Sequence, residues 1–210
     1  MASKWNRSEQ GRPRALRCAA FVIVALAALL LLALTVGCGL QTEEANKDLS
    51  KANAHQQEAE AVIARLKVLP NDWQTIFNTP TATAAQIANG RQLVAARVAD
   101  LDVLDTALKN WGIDNRAILK LNVEQKAKDY VSLKAASIKQ WQQYAETYLR
   151  PLVKAYGGLL DAIAQGKTVE QQAAADNIKS IVSEALTKLE DCRNAEKQAE
   201  SYFKANKLGK

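Results

Sequence analysis

Apolar and small residues recur at alternating steps of three and four along most of the chain after residue 40. This spacing places them on one face of an α-helix, and no stretch alternates with period two for long enough to be a strand. The pattern predicts helices over about 42–69, 83–111, 115–165 and 168–206. We expect an all-α fold, namely a mostly antiparallel four-helix bundle with coiled-coil character that follows an N-terminal signal or anchor helix.

Local signals set the expected helix starts. Thr83 with Gln86, and Thr168 with Gln171, have the spacing of a capping box. In that motif the hydroxyl accepts from a free backbone N–H while the Gln side chain reaches back to the cap. These pairs predict the beginnings of the second and last helices.

Breaking residues set the expected ends. Gly112 can adopt the left-handed conformation that commonly closes a helix, and Asp114 is a favourable cap for the next one. Pro151 removes a backbone N–H and clashes with the preceding turn, and Gly157 and Gly158 weaken the same region. We therefore expect the third helix to be kinked near residue 151 or broken between Tyr148 and Gly158.

The N-terminal 40 residues carry a different pattern. Five Lys and Arg residues precede an uncharged apolar run that begins at Cys18 and ends in Leu34-Thr35-Val36-Gly37-Cys38. A basic region, an apolar region and small closing residues are typical of a secretory signal.

The Cys directly after the small residue makes this segment resemble a bacterial lipoprotein signal. The resemblance implies cleavage between Gly37 and Cys38 and a diacylglycerol, carrying acyl chains such as palmitate, on the Cys38 thiol. Residues 1–37 would then be the signal peptide and 38–210 an extracytoplasmic domain on the cell membrane. By the same resemblance, Gly39 in place of Asp permits sorting to the outer membrane in a cell with two membranes. The resemblance does not extend to the mature domain.

An uncleaved membrane anchor is the alternative. An apolar run of about 20 residues is long enough to span a bilayer, whereas secretory apolar regions usually have about 7–15 residues. Both interpretations give the same orientation, because the cations lie before the run and the first charges after it are Glu43 and Glu44. The helical part is expected outside the cytoplasm in either case.

The charge distribution argues against nucleic-acid binding. Of the formal net charge of +6, the five cations and Glu9 within residues 1–37 account for +4, so the remainder carries +2. No run of Lys or Arg interleaved with aromatic residues follows, as a nucleic-acid surface would need. We expect partners to be the membrane, through Cys38 or a retained helix, and another envelope protein or a second copy.

The sequence offers no suitable residues for catalysis or for binding a cofactor. His55 is the only histidine, which excludes most metal and triad arrangements and leaves it a surface residue. Asp100, Asp102 and Asp105 lie in a helical pattern without the Gly and Glu of a calcium loop, and are expected to face solvent. Cys192 falls on the apolar stripe of the last helix and is expected to be buried. The sequence predicts no enzyme, no metal and no cofactor.

One aromatic cluster is a candidate ligand site. Trp141, Tyr144 and Tyr148 recur at three- and four-residue spacing beside Pro151. They either pack in the core or line a groove for a peptide, glycan or apolar ligand, with Arg150 as the nearest cation. The sequence therefore leaves two functions open. The first is a lipid-anchored scaffold, spacer or protein-interaction module without catalytic activity, and the alternative is a ligand-binding or sensory bundle.

Overall fold

The computed structural model describes residues 40–66 and 82–208, which all belong to one compact unit. Regular structure in these ranges is helical throughout, so the described part of the chain is all-α, as the periodicity predicts. The signal segment 1–37, Gly37 and Cys38 at the cleavage position, and the predicted end of the first helix near residue 69 lie outside the described residues. Within the described ranges, no helix is long and apolar enough to cross a membrane.

Helix α1 spans Thr42–Leu66 and buries a face of small side chains. Glu43 and Glu44 in its first turn and Arg65 in its last turn complement the helix dipole. Three buried alanines and Leu66 recur every seven residues, which is heptad spacing, and the small alanine side chains permit close approach of a neighbouring helix. The buried residues of α1 are Ala45, Ala52, Ala59, Val62, Ile63 and Leu66.

Helix α2 spans Ala84–Leu119 and begins as the capping box predicts. The Thr83 hydroxyl accepts from the Gln86 backbone N–H at 3.2 Å, and the Thr83 N–H donates to the Gln86 side chain at 2.7 Å. These two bonds satisfy donors that the first turn of a helix leaves free.

The predicted break at Gly112 is absent, which corrects the boundaries expected at residues 111 and 115. Helix α2 continues through Gly112 to Leu119, and the chain turns at Lys120 instead. Beyond Gly112, α2 buries Asn115 and Ile118, at 1 % and 3 % exposure. Tertiary packing of these extra residues, about two helical turns, therefore overrides the local stop signal.

Helix α3 spans Gln125–Tyr144 and leads without a loop into a π-helical turn, Ala145–Leu149, and then into α4, Arg150–Ala164. Pro151 lies in the first turn of α4, where its missing N–H follows directly on the wider π turn. The disturbance expected near Pro151 is therefore a π-helical turn rather than a break. Gly157 and Gly158 lie within α4 and do not interrupt it.

Helix α5 spans Thr168–Ala205. Gly166, at φ +67°, provides the left-handed residue between α4 and α5. The second predicted capping box is wrong: Lys167 is the cap residue and makes no side-chain cap bond. Gln171 Nε2 instead donates to the Ala162 carbonyl at 3.3 Å, so this side chain ties α5 to the end of α4.

Helix α1 packs on α2, α2 also packs on α3 and α4, and α5 packs on α3 and α4. Two contacts show that α1 and α2 are antiparallel. Arg65 near the end of α1 pairs with Asp100 at 2.9 Å, and the Gln41 N–H before α1 donates to the Asn122 carbonyl after α2 at 2.8 Å.

Helices α3 and α5 are antiparallel by the same criterion. The Tyr202 hydroxyl near the end of α5 donates to Asp129 at the start of α3, at 3.1 Å. The Trp141 indole near the end of α3 donates to Glu196, which precedes Tyr202 on α5. The main core between the helices takes buried side chains from all five helices, and α2 contributes Leu101, Leu104, Ala107, Leu108 and Trp111.

Candidate functional site

The predicted aromatic cluster forms a ladder that leads from the core to the surface. Trp141 and Tyr144 are 4 % and 8 % exposed, and Tyr148 is partly buried against the same core. The Trp141 and Tyr144 rings meet edge to face with centroids 5.7 Å apart, and Tyr144 and Tyr148 follow at 5.8 Å. Trp141 Nε1 donates to Glu196 Oε1 at 2.7 Å, which holds the indole against α5.

Arg150 does not join these rings. Its guanidinium reaches α2, where it contacts Asp105 and lies 3.7 Å from Asp102, and its Nε donates to Glu146 at 3.4 Å. Burial raises the pKa of Asp105, with Arg150 opposing the shift and Glu146 adding to it. The arginine therefore neutralises carboxylates between α2 and the π turn and is not available to the aromatic cluster.

The outer surface between α3 and α5 carries a cleft of about 630 Å³ beside Tyr144 and Tyr148. We call it the α3–α5 cleft. Trp141 and Arg150 are not among the residues that line it: Trp141 packs against Tyr144 in the core, and Arg150 turns toward Asp105 on α2. The cleft is lined by Gln140, Gln143, Tyr144, Thr147, Tyr148, Lys188, Asp191, Cys192, Asn194, Ala195 and Gln198.

The walls of the α3–α5 cleft are electrically balanced. Lys188 Nζ pairs with Asp191 at 3.0 Å, and the other lining residues are uncharged. Burial raises the pKa of Tyr144 to about 12 and that of Cys192 to about 11, so both groups keep their protons at neutral pH. Cys192 is 2 % exposed, which confirms the burial predicted from its place on the apolar stripe.

A second cleft, of about 660 Å³, lies along the same pair of helices toward the end of α5. Gln198 lines both clefts, so the two adjoin. The second cleft is mostly apolar, with Leu133 and Ala205 in its walls, and Tyr202 bonded to Asp129 at one side.

Lys134 is a buried charged residue that the sequence analysis missed. It lies on α3 and is 5 % exposed, with its ammonium 5.6 Å from the centroid of the Trp111 ring. Its Nζ donates to Gln56 Oε1 on α1 at 3.0 Å. The stripe Val131, Lys134, Ile138 has the three- and four-residue spacing of a buried face, and this spacing is the signal that could have identified it.

Carboxylates surround the buried ammonium. Burial lowers the pKa of Lys134, while Glu196, Glu200 and Glu60 act in the opposite direction. Burial raises the pKa of Glu196, with the bond from Trp141 opposing that shift. Lys134 and Glu196 therefore form a polar layer in which desolvation outweighs the favourable charge interactions at both residues.

The remaining candidates lie at helix contacts. Asp100 was expected to face solvent, but it pairs with Arg65 of α1 and with Arg97 at 2.9 Å. His55 lies 3.7 Å from Asp114, the residue once expected to cap a helix, and its side chain is 31 % exposed. Among the described residues, no group of three His, Cys, Asp or Glu side chains could hold a metal ion.

Comparison with known proteins gives no relative: no family model, no curated protein and no solved structure matches this chain. The function must therefore be inferred from the residues and their arrangement.

Proposed function

We propose that this protein is a lipid-anchored bacterial cell-envelope protein whose helices act as a non-catalytic scaffold, spacer or protein-interaction module. The lipid is a diacylglycerol on Cys38, and the domain of residues 38–210 lies on the extracytoplasmic face of the membrane. The lipobox-like end of the apolar run, Leu34 to Cys38, supports this anchor.

The helices are proposed to form a mostly antiparallel four-helix bundle with coiled-coil character, in which α3, the π turn and α4 make one rod. The antiparallel contacts of α1 with α2 and of α3 with α5 support this arrangement. The heptad spacing of Ala45, Ala52 and Ala59 supports the coiled-coil character. Lys134 adds a polar link from α3 to Gln56 of α1 inside the bundle.

The observation that carries the spacer role is the bond network at Gln41. Its N–H donates to the Asn122 carbonyl, and its Oε1 accepts from the Asn122 N–H at 2.9 Å. Cys38 is only three residues away, a reach of about 10 Å at most. The end formed by the α2–α3 turn is therefore proposed to lie close to the membrane through the lipid on Cys38. From that end the helices are proposed to extend away from the membrane, and α5 with its 38 residues would reach about 57 Å.

The polar groups of the described residues support a role without catalysis. Lys134 is buried and Glu196 is partly buried between the helices, and both are hydrogen-bonded there. In the cleft, Lys188 and Asp191 form a salt bridge with each other. The partner is proposed to be another envelope protein or a second copy of this chain. No nucleic acid is proposed as a partner.

The mass of the N-terminal peptide from the membrane fraction tests the anchor, for the wild type and for Cys38→Ala. We expect a peptide that begins at lipid-modified Cys38 and is lost in the variant. A peptide that begins at Met1 and is unchanged by the substitution would mean a retained helix.

Crosslinking in whole cells tests the scaffold role, which predicts reproducible adducts to one envelope protein or to a second copy.

A ligand-binding or sensory bundle is the second candidate, favoured by the α3–α5 cleft with Tyr144 and Tyr148 in its wall. Such a sensor would need a separate protein to carry its signal across the membrane. Saturable binding of a small molecule together with an absence of protein adducts would favour this candidate over the scaffold.

A further inference from the structure

We propose that the α3–α5 cleft binds a neutral oligosaccharide that carries N-acetyl groups. The proposal goes beyond the scaffold role, and it rests on the proposed extracytoplasmic location only for the presence of cell-wall sugars there. Four properties of the cleft support it: its charge, its aromatic surface, its hydrogen-bonding groups and its size.

The charge of the cleft favours an uncharged ligand. Lys188 and Asp191 are joined at 3.0 Å, so neither offers an unpaired charge to a ligand. Arg150, the nearest cation expected from the sequence, is occupied on the other side by Asp105 and Glu146. An anionic or cationic ligand would have to break one of these pairs, and a neutral sugar would not.

The aromatic wall suits the face of a sugar ring. Pyranose rings present C–H groups on one face, and these are attracted to the negative face of an aromatic ring. Tyr148, which is partly exposed, is the ring that a sugar can reach; the buried Tyr144 lies behind it at 5.8 Å, and Trp141 packs on Tyr144 at 5.7 Å. Because these rings are packed in series, a ligand finds a rigid surface and little ordering is needed on binding.

The other lining groups suit hydroxyl and acetamido groups. Gln140, Gln143 and Asn194 each carry an amide that donates two hydrogen bonds and accepts others, and Thr147 adds a hydroxyl. The buried Gln140 Oε1 has no hydrogen-bond partner among the described residues. A buried acceptor without a donor is unfavourable, and rotation of the Gln140 amide toward the cleft would let a sugar O–H or acetamido N–H supply that donor.

The dimensions suit a short oligosaccharide. A volume of about 630 Å³ lies within the usual range of small-molecule sites, about 300–1,000 Å³. Through Gln198 the cleft continues into the second cleft along α3 and α5, which allows further sugar units in line.

Calorimetry with the full-length protein in detergent tests the proposal, with the β-1,4-linked tetramer of N-acetylglucosamine as the probe. We expect saturable binding that weakens with the corresponding glucose tetramer, which lacks acetamido groups. Gln140→Leu should weaken binding about 5- to 10-fold, the effect of one hydrogen bond. Tyr148→Leu should weaken it at least as much. Gln172→Leu is the matched control, because Gln172 is exposed on α5, does not line the cleft and bonds to Asp176.

Three results would overturn the proposal. One is no saturable heat at about 10 mM tetramer. Another is equal competition by a capped tetra-alanine peptide, which would identify a peptide site. The last is an equal loss in Gln140→Leu and Gln172→Leu when both variants show wild-type melting. Cys38→Ala protein should bind the tetramer like the wild type, so failure of the anchor and failure of the cleft are distinguished.

Discussion

Cys192 shows how burial controls the chemistry of a single side chain. The thiol is 2 % exposed on the inner face of α5, and burial raises its pKa from 9.0 to about 11. The reactive thiolate is thereby reduced about 100-fold at neutral pH, before steric protection is counted.

We therefore expect Cys192 to be alkylated at least about 100-fold more slowly in the native protein than in urea. Mass spectrometry of the peptide that carries Cys192 measures this rate. Ser183→Cys provides an exposed thiol on the same helix and should react at similar rates in both states. Rapid native alkylation of Cys192 would contradict its place in the core.

Glu196 shows how burial affects the stability of the protein, because its carboxylate is charged at neutral pH but poorly solvated. Burial raises its pKa above the ordinary 4.5, so the unfolded chain loses this proton first as the pH rises. The protonated carboxyl favours the folded state. That contribution to stability is lost as the pH rises from 4.5, the pKa in the unfolded chain, through the higher pKa in the folded protein.

Glu196→Gln should therefore make the protein more stable than the wild type at neutral pH, and the difference should vanish below about pH 4. The amide keeps an acceptor for the Trp141 indole, and Glu200 and Glu60 remain near Lys134. Urea unfolding across this pH range measures the difference. Glu190→Gln, at an exposed pair with Arg193, should leave stability unchanged, and an equal gain there would show a general charge effect.

At the scale of the elements, the continuity of α2 is the clearest departure from sequence reasoning. Gly112 is helical, and a Cβ added there would lie 3.3 Å from the flexible Arg116 guanidinium. Gly112→Ala should stabilise the protein by about 0.5–1 kcal/mol, because Ala restricts the unfolded chain and favours helix.

Gly166→Ala is the contrasting variant, because its φ of +67° is left-handed. We expect it to destabilise by about 1–2 kcal/mol. Chemical denaturation measures the free energy of unfolding of both variants and of the wild type. A loss of stability in Gly112→Ala similar to that in Gly166→Ala would indicate that α2 ends at residue 112 after all.

The two predicted capping boxes also allow a paired test, because the one at Thr83 is formed and the one at Thr168 is not. Thr83→Ala should lower stability by about 1 kcal/mol, because its hydroxyl caps α2. Thr168→Ala should have little effect, because α5 begins without a side-chain cap. Thermal or urea unfolding of both variants measures this, and equal effects would contradict the assigned helix starts.

For the whole molecule, the proposed orientation at the membrane is measurable. Fluorescent labels on Lys126→Cys and Lys167→Cys lie at opposite ends of the helices, and energy transfer to an acceptor in the bilayer reports their heights. We expect strong transfer from residue 126 and weak transfer from residue 167, since α5 alone is about 57 Å long. Similar transfer from both positions would mean that the helices lie along the membrane.

The sequence predicted the local features well where one interaction dominates. The capping box at Thr83, the burial of Cys192 and the disturbance beside Pro151 each depend on neighbouring residues and helical spacing. The candidate site was predicted only in part. Tyr144 and Tyr148 line the cleft, but Arg150 turns to Asp105 because α2 presents carboxylates there.

What the sequence by itself determined is the helical character of residues 40–66 and 82–208 and the face that each helix buries, since both follow from residue spacing along one element. Only the tertiary structure decided where α2 ends, that Lys134 is buried beside Trp111, and which groups face the α3–α5 cleft. The physical reason is that each of these outcomes depends on contacts between helices distant in sequence. Such contacts can outweigh a glycine's stop signal or bury a lysine that would otherwise be solvated.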